Sequence, residues 1–364
     1  MSKGLNIAFF GSSLVSAYWN GAATYYRGII KAMNRRGHRV TFYEPDAWQR
    51  QAHRDIPDPP WAAVRVYGDN TAEVLTALEQ ASKADLVIKC SGVGVLDELL
   101  EREVPMAKGR GAMTAFWDVD APATLTRVEN NPADQFRALI PAYDYIFTYG
   151  GGDLVVNKYL ALGARSCLPI YNALDPDCHF RVAEQERFRS QLALLANRLP
   201  DREARVEDFF VNVARTMPAS SFVLGGNGWQ DKPLSPNIRY CGHVFTADHN
   251  AFNSSPLAVL NVNRESMARY GYSPPTRMFE AAGAAACIIS DQWAGIEMFF
   301  EPGREVLLAH NGEQVREHLL ALTPRVCREI GERALHRVLA EHTYDQRGRL
   351  LDYALGNGKA PGSS

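Results

Sequence analysis

Twice along this chain, short apolar runs closed by turn residues alternate with segments of helical spacing. That alternation leaves few folds open, because strands separated by helices pair in parallel as βαβ units. The first run, residues 5–10, is closed by Gly11-Ser12-Ser13 and reads as a buried strand. A helix is predicted over 22–35, where Tyr26, Ile29, Ile30 and Met33 fall at i, i+3, i+4 and i+7. Strands follow at 39–43, 85–89, 113–117 and 143–149, with helices at 71–82 and 95–103. Gly150-Gly151-Gly152 opens one more helix. The texture then changes to Pro169-Ile170-Tyr171-Asn172-Ala173-Leu174-Asp175-Pro176, which reads as an interdomain linker. Beyond it a second series has strands at 192–196, 221–224, 238–240, 258–262 and 287–290. Its helices are predicted at 203–215, 276–285, 313–322 and 325–341.

The expected fold is therefore α/β: two tandem Rossmann-like, doubly wound domains with a ligand cleft between their strand C-terminal ends. The expected boundaries are 1–168 for the first domain, 169–180 for the linker and 181–341 for the second. A helix over 342–357 is expected to pack back on the first domain, ahead of a disordered tail at 358–364. The length of 364 residues agrees with two domains, each large enough to bury its own core.

Composition removes several classes of function. Lys and Arg number 39 against 41 Asp and Glu, a balance that argues against a protein built to grip a nucleic-acid backbone. The longest apolar stretch, 281–289, falls far short of the roughly 20 residues of a membrane span. The apolar run 7–10 is too short for the core of a secretory signal. Cys90, Cys167, Cys178, Cys241, Cys287 and Cys327 are dispersed and read as reduced thiols, so a cytoplasmic location is expected.

Three patterns could carry chemistry. A dinucleotide fingerprint fails, because Gly92-Val93-Gly94 is followed by Asp97 where the third glycine belongs. Asp118-Val119-Asp120 has the D-x-D form whose oxygen ligands suit Mg²⁺ or Mn²⁺ bridging a diphosphate. Its other reading places one carboxylate in the cleft and the other as a cap on the next helix. His243 and His249 are too isolated in sequence to argue for zinc, and no metal is expected. In the third pattern, Pro274-Pro275 opens a helix on which Thr276, Arg277 and Glu280 share one face. The start of such a helix offers free N–H groups to an anion. The plainer alternative is a surface Arg277–Glu280 pair with the helix dipole.

From about Asp144 onward the chain resembles the CgeB-like spore-maturation glycosyltransferase family, a branch of the GT-B enzymes. The matching text begins with Tyr145-Ile146-Phe147-Thr148-Tyr149, Leu162-Gly163-Ala164, Leu168-Pro169 and Asp175-Pro176. It continues with Val259-Leu260-Asn261-Val262-Asn263-Arg264 and Arg277-Met278-Phe279-Glu280-Ala281-Ala282-Gly283. It closes with Gly295-Ile296-Glu297-Met298-Phe299-Phe300-Glu301-Pro302-Gly303 and His342-Thr343-Tyr344-Asp345-Gln346-Arg347.

The resemblance implies a nucleotide-diphosphate sugar held by the second domain, an acceptor held by the first, and no cofactor. It implies that Glu280 accepts the ribose hydroxyls and that Arg198 meets the diphosphate. The turn Gly225-Gly226-Asn227-Gly228 would then bring backbone to the nucleotide, the alternative being a plain tight turn, and Gly11-Ser12-Ser13 would face the diphosphate, the alternative again being an ordinary turn. Gly226, Asn227, Arg264, Thr276 and Arg277 join Gly11 and Ser12 in the expected donor set. One departure stands out: Tyr272 occupies the position, eight before Glu280, where many retaining GT-B enzymes carry a glutamate. Without a metal, helix N–H groups and arginines must stabilise the leaving diphosphate. Asp120 is then the expected general base, with Asp118 beside it. Two other readings stay open: a non-catalytic nucleotide-sugar or small-molecule binder of the same fold, and a metal-dependent transferase using Asp118 and Asp120. The sugar, the acceptor, the stereochemical outcome and the oligomeric state stay open as well.

Overall fold

A computed structural model describes residues 4–356, with 108–110 described by backbone alone. The expected tail at 358–364 lies outside the described residues. The chain forms two compact units: Met1–Tyr171 with the segment from Tyr344 onward, and Asn172–Thr343.

The first unit is built on a seven-stranded sheet of order β3-β2-β1-β4-β5-β6-β7. Its strands are β1 Asn6–Phe10, β2 Arg39–Pro45, β3 Ala63–Tyr67, β4 Leu86–Cys90, β5 Met113–Asp118, β6 Tyr145–Thr148 and β7 Cys167–Pro169. Every pairing is parallel. Helices cover both faces of such a sheet, which is why Ile7-Ala8-Phe9-Phe10 is buried without alternation. The helix Ala23–Arg35 buries the predicted stripe Tyr26, Ile29, Ile30 and Met33. Phe9 stacks on Phe42 at 5.5 Å and meets Tyr26 edge-on at 5.8 Å. The strand order reverses between β1 and β4, so the loops after them, beginning at Gly11 and Ser91, flank the switch point where open α/β sheets take ligands.

The final helix, Tyr344–Ala354, lies on Ala23–Arg35 in this unit. Gly28 permits the approach, since a Cβ there would sit 2.2 Å from the Tyr344 ring. Asp352 is buried and pairs with His38 Nε2 at 2.6 Å and with Arg36.

The second unit has a six-stranded parallel sheet of order β10-β9-β8-β11-β12-β13. Its strands are β8 Leu192–Leu195, β9 Phe222–Gly225, β10 Ile238–Tyr240, β11 Ala258–Asn261, β12 Ile288–Asp291 and β13 Leu307–Ala309. Leu194, Phe210, Leu224 and Ile289 belong to its core. Here the order reverses between β8 and β11, which places the loops carrying Arg198 and Arg264 at the switch point.

Several elements differ from the sequence reading. The expected helix over 203–215 is Pro200–Val206, a π-turn Glu207–Asn212 and Val213–Thr216. The wider turn lets three consecutive apolar residues, Phe209, Phe210 and Val211, all be buried. The sequence reading omits β3, β7 and β13, each the outermost strand of a sheet edge. It gives no bounds for the helix after Asp120, which is Ala121–Asn130, and omits the helices Thr246–Ser254 and Glu265–Tyr270.

Candidate functional site

The second unit gathers most of the expected donor residues at one end of its sheet. Two loops interlock there, one after β8 and one after β9. Ala196 N–H donates to Gly225 O at 2.9 Å, Arg198 N–H donates to Asn227 O at 2.9 Å, and Trp229 Nε1 donates to Ala196 O at 2.7 Å. Asn227 N–H donates to Asn197 Oδ1 at 2.9 Å. Gly226 has φ +120°, and a Cβ on it would lie 2.1 Å from Ala196 O, so this close approach demands glycine. The Asn227 amide reaches His243 Nδ1 at 3.4 Å.

Arg198 stands at this junction already engaged. Its Nε and Nη2 donate to the two Glu203 oxygens at 2.9 and 2.8 Å, and its Nη1 donates to Asp231 at 2.9 Å. The hydrogen bond from Arg198, then that from Lys232, holds the Glu203 carboxyl down to about 2. A diphosphate could take this guanidinium only by displacing carboxylates. Arg264 is similarly bound, donating from Nε to Asp201 at 2.9 Å.

The helix Thr276–Gly283 supplies the rest. Thr276 Oγ1 donates to the buried Asn172 at 2.8 Å, and Asn172 Nδ2 donates to Pro274 O at 2.9 Å. Arg277 Nη1 reaches Leu195 O at 2.9 Å, tying the helix start to the end of β8. Glu280, one turn on, is only 5% exposed, so the surface Arg277–Glu280 alternative does not hold. Its Oε1 is 3.7 Å from His179 Nε2 and its Oε2 is 3.4 Å from His249 Nδ1. Burial alone would raise the Glu280 pKa, but His179, His249 and Arg277 outweigh it and pull the carboxyl down to about 2. Burial pushes His179 below its usual range, against the pull of Glu280. Neither histidine belongs to the expected site. His249 lies on a helix absent from the sequence reading and His179 in the linker text, so only the fold reveals that both face Glu280.

In the first unit, Gly11 abuts the Phe42 ring, which a Cβ would approach to 2.4 Å. Ser12 is buried; its hydroxyl donates to Asn20 Oδ1 at 2.9 Å and its carbonyl accepts from Arg50 at 3.2 Å. Buried Glu44 accepts from Ser13 Oγ and from Leu14 N–H, at 3.1 and 2.6 Å. The loop is thus locked by its own neighbours.

Asp118 and Asp120 differ sharply. Asp118 ends β5 fully buried; its Oδ2 accepts from Tyr159 O–H at 2.5 Å and its Oδ1 from Thr124 Oγ1 and Asp120 N–H, both at 3.0 Å. Burial pushes its pKa up. A cation on Asp118 would have to displace those hydroxyls. Asp120 is half-buried at the N-cap of Ala121–Asn130, and its side chain makes no capping bond to that helix. The carboxylate that receives the helix-start donors is Asp118.

Two Rossmann-like units in tandem, each on a parallel sheet, make this the GT-B architecture. Residues 202–352 match the family described as glycosyl transferase-like. Among solved structures, the chain is similar to the sucrose-phosphate synthase of Thermosynechococcus elongatus, with a TM-score of 0.70 at 12% identity over 96% of this chain and 98% of that one. It is similar to Anabaena Alr3699/HepE in complex with UDP and glucose, with a TM-score of 0.68 at 12% identity over 97% and 99%. An alpha-glucosyltransferase in complex with UDP-glucose and DNA containing an abasic site gives 0.70 at 11% identity over 97% and 99%. At these identities the likeness is one of fold. No curated protein matches the chain.

Proposed function

We propose that this chain is a glycosyltransferase of the CgeB-like branch, moving a hexose-type sugar from a nucleotide-diphosphate sugar to a hydroxyl-bearing acceptor. The observation that carries the reading is Glu280. It is an ionised carboxylate held one turn into a helix whose first turn bears Arg277, beside the interlocked loops after β8 and β9. A carboxylate can accept from both ribose hydroxyls, while Arg277 and the helix-start N–H groups face a diphosphate without a metal ion. The solved neighbours in complex with UDP or UDP-glucose make uridine nucleotides the first donors to test. Acceptor recognition is assigned to the first unit, with Asp120 as general base. Among the described residues no helix is long and apolar enough to cross a membrane. All six cysteines are free thiols, which suits a cytoplasmic protein.

Calorimetric titration with uridine, UDP and UDP-glucose tests the donor site. Glu280→Gln replaces one acceptor oxygen with a donor, and losing a charge-assisted hydrogen bond costs about 1.5–3 kcal/mol, or about 10- to 150-fold in affinity. All three ligands should weaken alike, because each carries the ribose. Arg277→Ala should weaken UDP and UDP-glucose and spare uridine. Unchanged affinity in Glu280→Gln refutes the assignment. Release of UDP on adding candidate acceptors separates an enzyme from a binding protein of the same fold.

A further inference from the structure

The surroundings of Glu280 do not close as an ordinary hydrogen-bond network. His179 is 2% exposed, yet neither of its ring nitrogens has a hydrogen-bond partner among the described residues. Its Nε2 lies 3.7 Å from Glu280 Oε1, beyond hydrogen-bonding distance. Burying an imidazole with both nitrogens unsatisfied carries the desolvation cost of each. His249 approaches from the other side, on Thr246–Ser254, with Nε2 3.2 Å from Val244 O. A carbonyl can only accept, so Nε2 carries the proton. In the neutral ring Nδ1 is then the lone-pair nitrogen, and it faces Glu280 Oε2 at 3.4 Å. Potential ligand atoms of His179, His249 and Glu280 lie within 4.8 Å of one another. Such a set is stable around a cation.

We propose that His179, His249 and Glu280 form a binding site for a divalent transition-metal ion of the zinc type. Two imidazoles and one carboxylate are a donor set that zinc accepts while keeping a fourth position open. Bonds of about 2.0–2.2 Å at tetrahedral angles separate ligand atoms by about 3.3–3.6 Å. The three ligand atoms, one from each residue, lie within 4.8 Å of one another, so binding must draw them together by about 1 Å. The bond from His249 Nε2 to Val244 O is the outer contact that metal-binding histidines make, and it fixes the ring with Nδ1 inward. Gly283 seats the His179 segment on the helix carrying Glu280, since a Cβ there would meet His179 O at 2.7 Å. Imidazole donors favour zinc, cobalt or nickel over Mg²⁺ or Ca²⁺. A proton on His249 Nδ1 is the competing occupant; it pairs His249 with Glu280 but leaves both nitrogens of His179 unanswered.

Chelator-treated full-length protein, free of nucleotide, should be titrated with Co²⁺ and followed by visible absorption, then back-titrated with Zn²⁺. Without nucleotide present, the result does not depend on the donor-site reading. The expected result is one Co²⁺ per chain, d–d bands of a nitrogen–oxygen site, no thiolate charge-transfer band, and displacement by Zn²⁺. Losing an outer hydrogen bond weakens metal sites about 10- to 100-fold, so removing a ligand in His179→Ala or His249→Ala should weaken binding more than about 100-fold. Cys178, next to His179 in the chain, is the control: Cys178→Ser should change nothing. Should His179→Ala fail to fold, His249→Gln carries the test. The proposal is overturned by folded protein that takes up no cobalt. It is equally overturned by a thiolate band lost in Cys178→Ser, or by histidine variants that bind as the wild type does.

Discussion

At the scale of single residues, Asp118 and Asp120 separate stability from chemistry. Asp118 is enclosed by Tyr159, Thr124 and the Asp120 amide, so its role is structural. Because burial raises its pKa in the folded chain, the folded state binds more protons than the unfolded one just above the ordinary value of 3.8. Stability from this group therefore falls as pH rises through that interval, and Asp118→Asn should flatten the fall in urea midpoints measured across it. A slope that persists in the variant refutes the assignment. Asp120→Asn should leave the urea midpoint nearly unchanged and lower kcat about 100-fold or more, the scale of a lost general base. Wild-type kcat in that variant removes Asp120 from the mechanism. The D-x-D spacing marked both residues, but sequence cannot tell which of two nearby carboxylates burial will claim. For Arg277 and Glu280 helical spacing predicts a shared face on Thr276–Gly283, and both do lie on that helix. His179 and His249 stand 70 positions apart in the chain and are paired only by packing.

At the scale of elements, the central strands were the most legible, and among the edge strands only β10 was read. Strands β1, β4, β8 and β11 lie inside parallel sheets and are written as largely apolar runs, broken in β4 only by the buried Lys89, so their extents are readable to within a residue or two. The edge strands β3, β7 and β13 are less buried, β7 and β13 are only three residues long, and β7 ends on Pro169, so periodicity leaves them unmarked. The π-turn at Glu207–Asn212 was invisible for another reason: an i→i+5 turn is selected by packing rather than by propensity. Packing also sets the effect of Gly28→Ala. A methyl in mid-helix gains roughly 1 kcal/mol of propensity over glycine. Here it would collide at 2.2 Å with Tyr344, whose ring is buried against Tyr25. Overpacking of this kind costs about 1–3 kcal/mol, so the net change should be destabilising. A higher urea midpoint would show that Tyr344–Ala354 can shift without cost.

At the scale of the whole molecule, the donor reading and the metal site share one carboxylate, and that couples them. A zinc-type ion takes at least one oxygen of Glu280, leaving the ribose of a bound nucleotide short of an acceptor. Occupancy of one site should therefore weaken the other, and by linkage the factor must be the same in both directions. If the ion removes one charge-assisted hydrogen bond, that factor is about 10- to 150-fold. The molecule as a whole should then turn over without a metal, and added zinc should inhibit it in competition with the nucleotide sugar. This ordering is opposite to that of an enzyme using Asp118 and Asp120 to bridge a diphosphate through Mg²⁺ or Mn²⁺. The measurement is UDP affinity by calorimetry and UDP release by turnover, each in chelator, in Zn²⁺ and in Mn²⁺. Activity retained in chelator, UDP weakened by Zn²⁺, and Zn²⁺ weakened equally by UDP are the expected results. Activity abolished by chelator and restored by Mn²⁺ would return the diphosphate to the aspartates. Equal UDP affinity with and without bound Zn²⁺ would mean that Glu280 serves the metal alone and that the ribose is held elsewhere.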